Sequence, residues 1–117
     1  MFSLNDSMRY WLYNEPTDMR KSYHTLSGLV QNKLGMSVDS GDVFIFVNKS
    51  RNRLKLLHME PGGLVLYSKL LDAGRLRVPR REGLSTTMEW RDLVVMVEGI
   101  LENPDSRLRR LRRVKIY

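Results

Sequence analysis

The sequence predicts an α+β domain, with a small antiparallel sheet of about four strands, two helices packed on one face, and a basic C-terminal tail. Three observations lead to this prediction. Short strand-like runs are separated by polar or Gly/Pro connections, two segments place apolar residues at helical spacing, and arginines concentrate after Pro104. We therefore expect a domain over residues 1–103 and a tail over residues 104–117, either a short helix or disordered.

The first strand and the first helix occupy the N-terminal third of the chain. Residues Arg9–Asn14 are rich in aromatic side chains and end before a Glu-Pro pair, as a strand followed by a turn would. Thr17 and Asp18 are good N-cap residues, and apolar residues recur after them at helical spacing up to Gly35. The predicted buried stripe of this helix consists of Met19, Tyr23, Leu26, Val30 and Leu34.

Three further strands are predicted in close succession. The connections between them are short and contain Asn, Gly and Pro, which favours an antiparallel meander. Alternation in the second run is imperfect, so the pattern leaves open which of its faces is buried. The three predicted strands are Asp42–Asn48, Arg53–Met59 and Leu64–Lys69.

A basic segment and a second helix follow. Residues 73–83 combine glycines, Pro79 and four arginines, a composition that predicts an irregular, solvated loop. Ser85–Thr87 then predict the start of a helix, with Glu89 and Asp92 in its first turn. We expect this helix to close over the sheet through Met88, Trp90, Leu93, Val94, Val97 and Leu101.

The composition is that of one ordinary domain, with 42% hydrophobic and 28% charged residues. Cysteine is absent, which excludes disulfides and thiolate metal sites. The longest apolar runs have five residues, whereas a membrane-spanning helix needs roughly 18 or more. The N-terminus lacks the basic and apolar regions of an export signal, so we expect a cytoplasmic protein without membrane contact.

The residue types that carry out catalysis in other proteins are not arranged in a catalytic pattern in this sequence. The acidic residues are scattered, mostly beside predicted caps and turns, and do not suggest a carboxylate set for metal-dependent strand transfer. His24 and His58 lie far apart without flanking ligands, and no Gly-rich phosphate loop is present. We therefore expect no enzymatic activity, no cofactor and no metal.

Positive charge is the chemical feature that remains. The net charge is +7, and residues 107–117 contribute six basic side chains without an acid. Other cations lie at the predicted helix start, on the hairpin from Lys49 to Lys55, and in the basic loop. A solvated surface and phosphate contact are both consistent with them. The candidate nucleic-acid-binding residues are Arg20, Lys21, Arg51, Arg53, Lys55, Lys69, Arg75, Arg77, Arg80, Arg107, Arg109, Arg110, Arg112 and Arg113.

Several short strings occur in a characteristic order over roughly residues 9–101. They are Asp18-Met19-Arg20-Lys21, Phe44-Ile45-Phe46, Leu54-Lys55-Leu56-Leu57, and the segment from Lys69 to Pro79. In this order they resemble the TnpB (second reading frame, Orf2-like) accessory protein of the IS sixty-six group of bacterial insertion sequences. The chain departs from that family at Met59, Leu70, Leu76 and Val78, and its arginine-rich tail lies beyond the usual family domain.

The resemblance implies a protein required for transposition alongside a separate, larger transposase. We therefore expect a non-catalytic accessory protein that binds element DNA, assists the transposase, or both. Two alternatives stay open: a protein-interaction subunit of the transposase complex that does not contact DNA, and an RNA-binding regulatory protein of the mobile element. The sequence specifies no oligomeric state.

Overall fold

The computed structural model describes residues 4–79 and 82–98, and it has an α+β fold. Its strands are β1 (Tyr10–Tyr13), β2 (Val43–Val47), β3 (Arg53–Glu60), β4 (Gly63–Leu70) and β5 (Ser85–Met88). Its helices are α1 (Tyr23–Leu34) and α2 (Trp90–Glu98), and a 3₁₀ turn spans Val38–Ser40. No helix in the described ranges is long and apolar enough to cross a membrane.

The sheet has five strands in the order β4-β3-β2-β1-β5 and is mixed. The meander β2-β3-β4 is antiparallel, as predicted, whereas β1 pairs parallel with β2. The prediction of a four-stranded antiparallel sheet was therefore wrong in number and in one pairing. The reason is that α1 carries the chain from the end of β1 back to the start of β2, a crossover that produces parallel neighbours.

The fifth strand replaces the predicted beginning of the second helix. Ser85–Met88 pairs antiparallel with β1, and Thr86 is buried, donating its hydroxyl to Asn14 Oδ1 at 2.7 Å. The β-branched threonines suit this half-buried strand, and pairing with β1 satisfies their backbone. Helix α2 begins at Trp90, where Asp92 Oδ2 accepts from the Glu89 N–H at 3.1 Å.

The two helices lie on opposite faces of the sheet, so the prediction that both cover one face was also wrong. Leu26 and Val30 of α1 pack with Phe44 and Phe46, whereas Leu93 of α2 belongs to the cluster on the other face. All five residues of β2 are buried. A strand buried on both sides requires cover on both sides, and its continuous apolar sequence reflects this.

Helix α1 begins five residues after Asp18, so Thr17 and Asp18 are not its N-caps. Ser22 occupies that position without a side-chain hydrogen bond, and the helix ends at Gly35, whose φ of 64° lies in the left-handed region. Thr17 instead donates its N–H to the Val47 carbonyl at 2.8 Å. The predicted burial of Leu26 and Val30 is confirmed, whereas Tyr23, predicted on the same stripe, lies in the first turn and is exposed.

The segment after β4 contributes to the core, although its composition predicted a solvated loop. Leu71 and Leu76 are buried in the same cluster as α2. Their N–H groups donate to the carbonyls of Asn52 and Arg51, at 2.8 and 2.6 Å. The apolar residues hold the segment against the sheet, while Arg75 and Arg77 remain exposed.

Candidate nucleic-acid interface

Strands β1, β2 and β4 finish, and β3 begins, at one end of the sheet. Two cavities of about 310 and 330 Å³ open there. Pro16, Asn48 and Lys49 line both cavities, so the two form neighbouring parts of one concave surface. Lys49, Arg51 and Arg53 line the two cavities, and two further basic stretches, residues 20–21 and 75–77, are held by hydrogen bonds to β3 and to the β2–β3 turn. We call the cations of these three stretches the basic rim: Arg20, Lys21, Lys49, Arg51, Arg53, Arg75 and Arg77.

The turn between β2 and β3 presents the central cations of the rim. Asn48 organises this turn: its Oδ1 accepts from the N–H groups of Asn52 and Arg53 at 3.1 and 3.0 Å, and its Nδ2 donates to Asn52 Oδ1 at 2.7 Å. Arg51 adopts a φ of 56°, a left-handed conformation that non-glycine residues rarely take. These bonds fix the turn, so Lys49 projects from a defined backbone.

Lys55 is a structural residue and not part of the exposed surface, which corrects its assignment as a phosphate contact. The side chain lies on the α1 face of β3 and is only 8% exposed. Its Nζ donates to the carbonyls of Met19 and Lys21, at 2.7 and 2.6 Å. A buried ammonium is stable when acceptors surround it, and these two carbonyls belong to the loop before α1. Lys55 therefore fastens that loop, with Arg20 and Lys21, to β3.

Arg20 is already paired within the rim. Its Nη2 lies 2.6 Å from Asp18 Oδ2, while the Arg20 side chain remains 91% exposed. Hydrogen bonds from the Arg20 side chain and then from its backbone N–H hold the pKa of the Asp18 carboxyl well below its usual range, and the pairing raises the pKa of Arg20. Asp18 thus closes a turn and neutralises Arg20, so this pair adds no net charge to the rim.

Arg53 lines the second cavity together with Lys49. Its side chain is half-buried, and its Nε is buried without an acceptor in the part of the chain that the structure describes. A buried N–H donor without a partner is costly. An anionic oxygen that entered the cavity could satisfy this donor.

A backbone hydrogen bond holds the third basic stretch, residues 75–77, beside the β2–β3 turn. The Leu76 N–H donates to the Arg51 carbonyl at 2.6 Å, and Arg75 and Arg77 flank Leu76 in sequence. Arg77 also lines a cavity of about 270 Å³ with Arg91 of α2. Arg91 is a single cation on α2, and no sequence pattern marks it as a contact. Only the packing of α2 beside residues 77–79 brings it near Arg77.

The other candidates lie elsewhere or outside the described residues. Lys69 pairs with Leu54 and therefore projects on the α2 face, whereas Arg53 projects on the α1 face. Candidates for which the structure gives no position are Arg80, Arg107, Arg109, Arg110, Arg112 and Arg113.

The described residues contain no group of three or more His, Asp or Glu side chains placed to hold a metal ion. His24 is exposed on α1, whereas His58 is buried on β3. The concave surface is lined by three cations, the exposed Lys49 and the partly buried Arg51 and Arg53, with Glu15 and Asp18 as acidic neighbours and walls that are partly apolar. The excess of cations is suited to binding an anion.

Comparison with known proteins confirms the family that the sequence resembles. A family profile described as "IS66 Orf2 like protein" matches residues 8–106. The chain is similar to the uncharacterized protein y4hO of Sinorhizobium fredii (strain NBRC 101917 / NGR234), with 30% identity over 100 residues, 86% of this chain and 87% of the relative. Uncharacterized protein y4jC of the same organism is 25% identical over 100 residues, covering 86% of each chain. No solved structure matches.

Proposed function

The chain belongs to the IS66 Orf2-like family of insertion-sequence accessory proteins, and from this premise we propose that it acts in transposition without catalysis, by binding element DNA through the basic rim. The DNA so held would be presented to the element's larger transposase. The observation that carries the proposal is the convergence of three separate basic stretches at one end of the sheet.

Two sets of contacts produce that convergence. Lys55 holds the Arg20-Lys21 loop to β3, and the Leu76 N–H holds the Arg75-Arg77 stretch to the β2–β3 turn. Both contacts use backbone carbonyls as acceptors, so they do not engage the side chains of Lys21, Arg75 or Arg77. A fixed backbone spares the cost of ordering the main chain when these cations bind phosphate, which favours binding to the DNA backbone.

The charge distribution supports contacts with phosphate more than readout of bases. Within the rim, Lys49, Arg75 and Arg77 are exposed and none forms an ion pair among the described residues. Contacts of this kind position a protein on DNA without selecting a sequence. Any preference for element ends would then come from the transposase or from DNA shape.

The test is the salt dependence of DNA binding by the full chain, measured by fluorescence anisotropy on an element-end duplex and an unrelated duplex. For the double variant Lys49→Ala/Arg75→Ala, we expect weaker binding to both duplexes and a slope of log affinity against log salt that is flatter by nearly 2. Lys33→Ala is the control, because Lys33 lies in the last turn of α1, at the opposite end from the rim. An unchanged slope in the double variant would rule out the rim as a DNA contact.

A separate experiment tests the arginine-rich tail. Truncation after Asn103 removes residues 104–117, including six basic side chains. If the tail also contacts DNA, truncation flattens the slope of log affinity against log salt by roughly 0.9 per lost phosphate contact. The rim variants then flatten the slope of the truncated chain further. Copurification of transposase with the tagged protein after nuclease treatment, with no DNA binding by the purified chain, would instead establish the protein-interaction function.

A further inference from the structure

Among residues 4–79 and 82–98, none forms a strand against the outer edge of β4. Strand β4 is the last strand on its side of the sheet and has eight residues, whereas the opposite edge strand β5 has four. The Asn48 N–H donates to the Arg53 carbonyl, and the Leu71 N–H donates to the Asn52 carbonyl. Along an antiparallel strand, successive residues direct their backbone groups alternately to one neighbouring strand and to the other. The two bonds therefore determine which residues of β3 bond to β2 and which bond to β4. The backbone groups of Leu64, Leu66, Ser68 and Leu70 therefore point outward.

This edge lacks the features that usually prevent strands from associating. Between Gly63 and Leu70 there is no proline, and Lys69 is the single charged residue. Leu70 is 61% exposed, the most exposed of the large hydrophobic residues in the described ranges. An edge that is long, nearly uncharged and partly apolar is a template for another strand.

We propose that β4 is a dimerisation strand, pairing antiparallel with β4 of a second copy of this chain to form a continuous ten-stranded sheet. Among two-fold arrangements, the register centred on Tyr67 pairs Leu64 with Leu70 and Leu66 with Ser68. It joins all eight outward N–H and C=O groups in hydrogen bonds. The two copies then present the same strand to each other, as an isologous interface requires.

Side chains in this register are complementary. The exposed Leu70 lies opposite Leu64 of the second copy, on the face that carries α1 in both molecules. Tyr67 lies opposite its own counterpart on the other face, in a non-hydrogen-bonded pair, where side chains approach most closely. Lys69 faces Val65, so no two like charges are directly opposed. A chain with a net charge of +7 can therefore approach a second copy at this edge, whereas its basic rim would repel one.

Light scattering after size-exclusion chromatography tests the proposal with the full chain, treated with nuclease and held at high salt to prevent bridging by nucleic acid. We expect twice the mass of one chain. Ser68→Pro removes an outward N–H at an exposed edge position that tolerates proline, and should yield a folded monomer. Its control, Ser68→Val, keeps the N–H and should remain dimeric.

A second pair of variants tests the side chains. Leu70→Lys places a charge opposite Leu64 of the second copy and should yield a monomer, whereas Leu84→Lys, at another exposed leucine near β5, should not. If Ser68→Pro fails to fold by circular dichroism, the Leu70→Lys result decides. A monomeric parent chain at all concentrations, or a dimer that persists in Leu70→Lys, would overturn the proposal. Neither outcome bears on DNA binding, which the salt series measures independently.

Discussion

Replacing Lys55 with methionine tests whether this lysine is structural or binds an anion. Methionine keeps most of the apolar stem and removes the ammonium that donates to the Met19 and Lys21 carbonyls at 2.7 and 2.6 Å. The loop before α1 then loses its attachment to β3. If the structural assignment is correct, the variant loses stability first, and any loss of DNA binding follows from that.

The magnitude follows from the two hydrogen bonds. A hydrogen bond from a charged donor contributes about 1.5–3 kcal/mol, and a carbonyl left without a partner costs about 1–3 kcal/mol when it stays buried. The loop can move and expose the carbonyls to water, so we expect a net loss of about 2–4 kcal/mol in the free energy of unfolding. For a domain of this size that corresponds to a melting temperature lower by roughly 10–25 °C.

Urea denaturation followed by tryptophan fluorescence measures the loss. Trp11 is a suitable probe because its Nε1 donates to the mostly buried Asp42 carboxylate at 3.0 Å. Lys49→Met is the matched control: it removes the same charge at an exposed position and should change stability by less than about 0.5 kcal/mol. A Lys55→Met variant that is as stable as the parent chain but binds DNA less tightly would refute the reasoning, because Lys55 would then be a contact.

Two further variants test the neighbouring parts of the structure. Leu76→Ala should lower the free energy of unfolding by about 2–5 kcal/mol because Leu76 is fully buried. Leu84→Ala, at a half-exposed leucine, should have little effect in the same urea titration. Equal effects of the two substitutions would contradict the packing of residues 71–79 on the sheet. Asp18 has a lowered pKa in the folded state, so its pairing with Arg20 adds stability above the ordinary carboxyl pKa of about 4, and that stability is lost as the pH falls through the lowered value. Between pH 5 and pH 2 we therefore expect Asp18→Asn to lose less stability than the parent chain, with Asp39→Asn on the exposed 3₁₀ turn as control; identical acid profiles would show that the ion pair contributes nothing.

The sequence alone determined the features that depend on local periodicity. Helical spacing predicted the burial of Leu26 and Val30 in α1 and of Leu93 in α2, which is confirmed, whereas Tyr23 and Val94 of the same predicted stripes are exposed. The three runs predicted as strands of the meander correspond to β2, β3 and β4. Local patterns predict such elements because the solvent exposure of side chains along a helix or strand repeats every few residues, whatever the element packs against.

Tertiary structure decided what depends on partners far apart in sequence. Ser85–Met88 became a strand because β1 offered a free edge, and the helices took opposite faces because β2 needs cover on both sides. The basic rim shows the same division. The sequence identified six of its seven cations as candidates, all except Lys49, but whether each is exposed, paired or buried follows from the fold. Lys55 can be buried because carbonyls 34 and 36 positions earlier in the chain accept hydrogen bonds from its ammonium, an arrangement that no local pattern can predict.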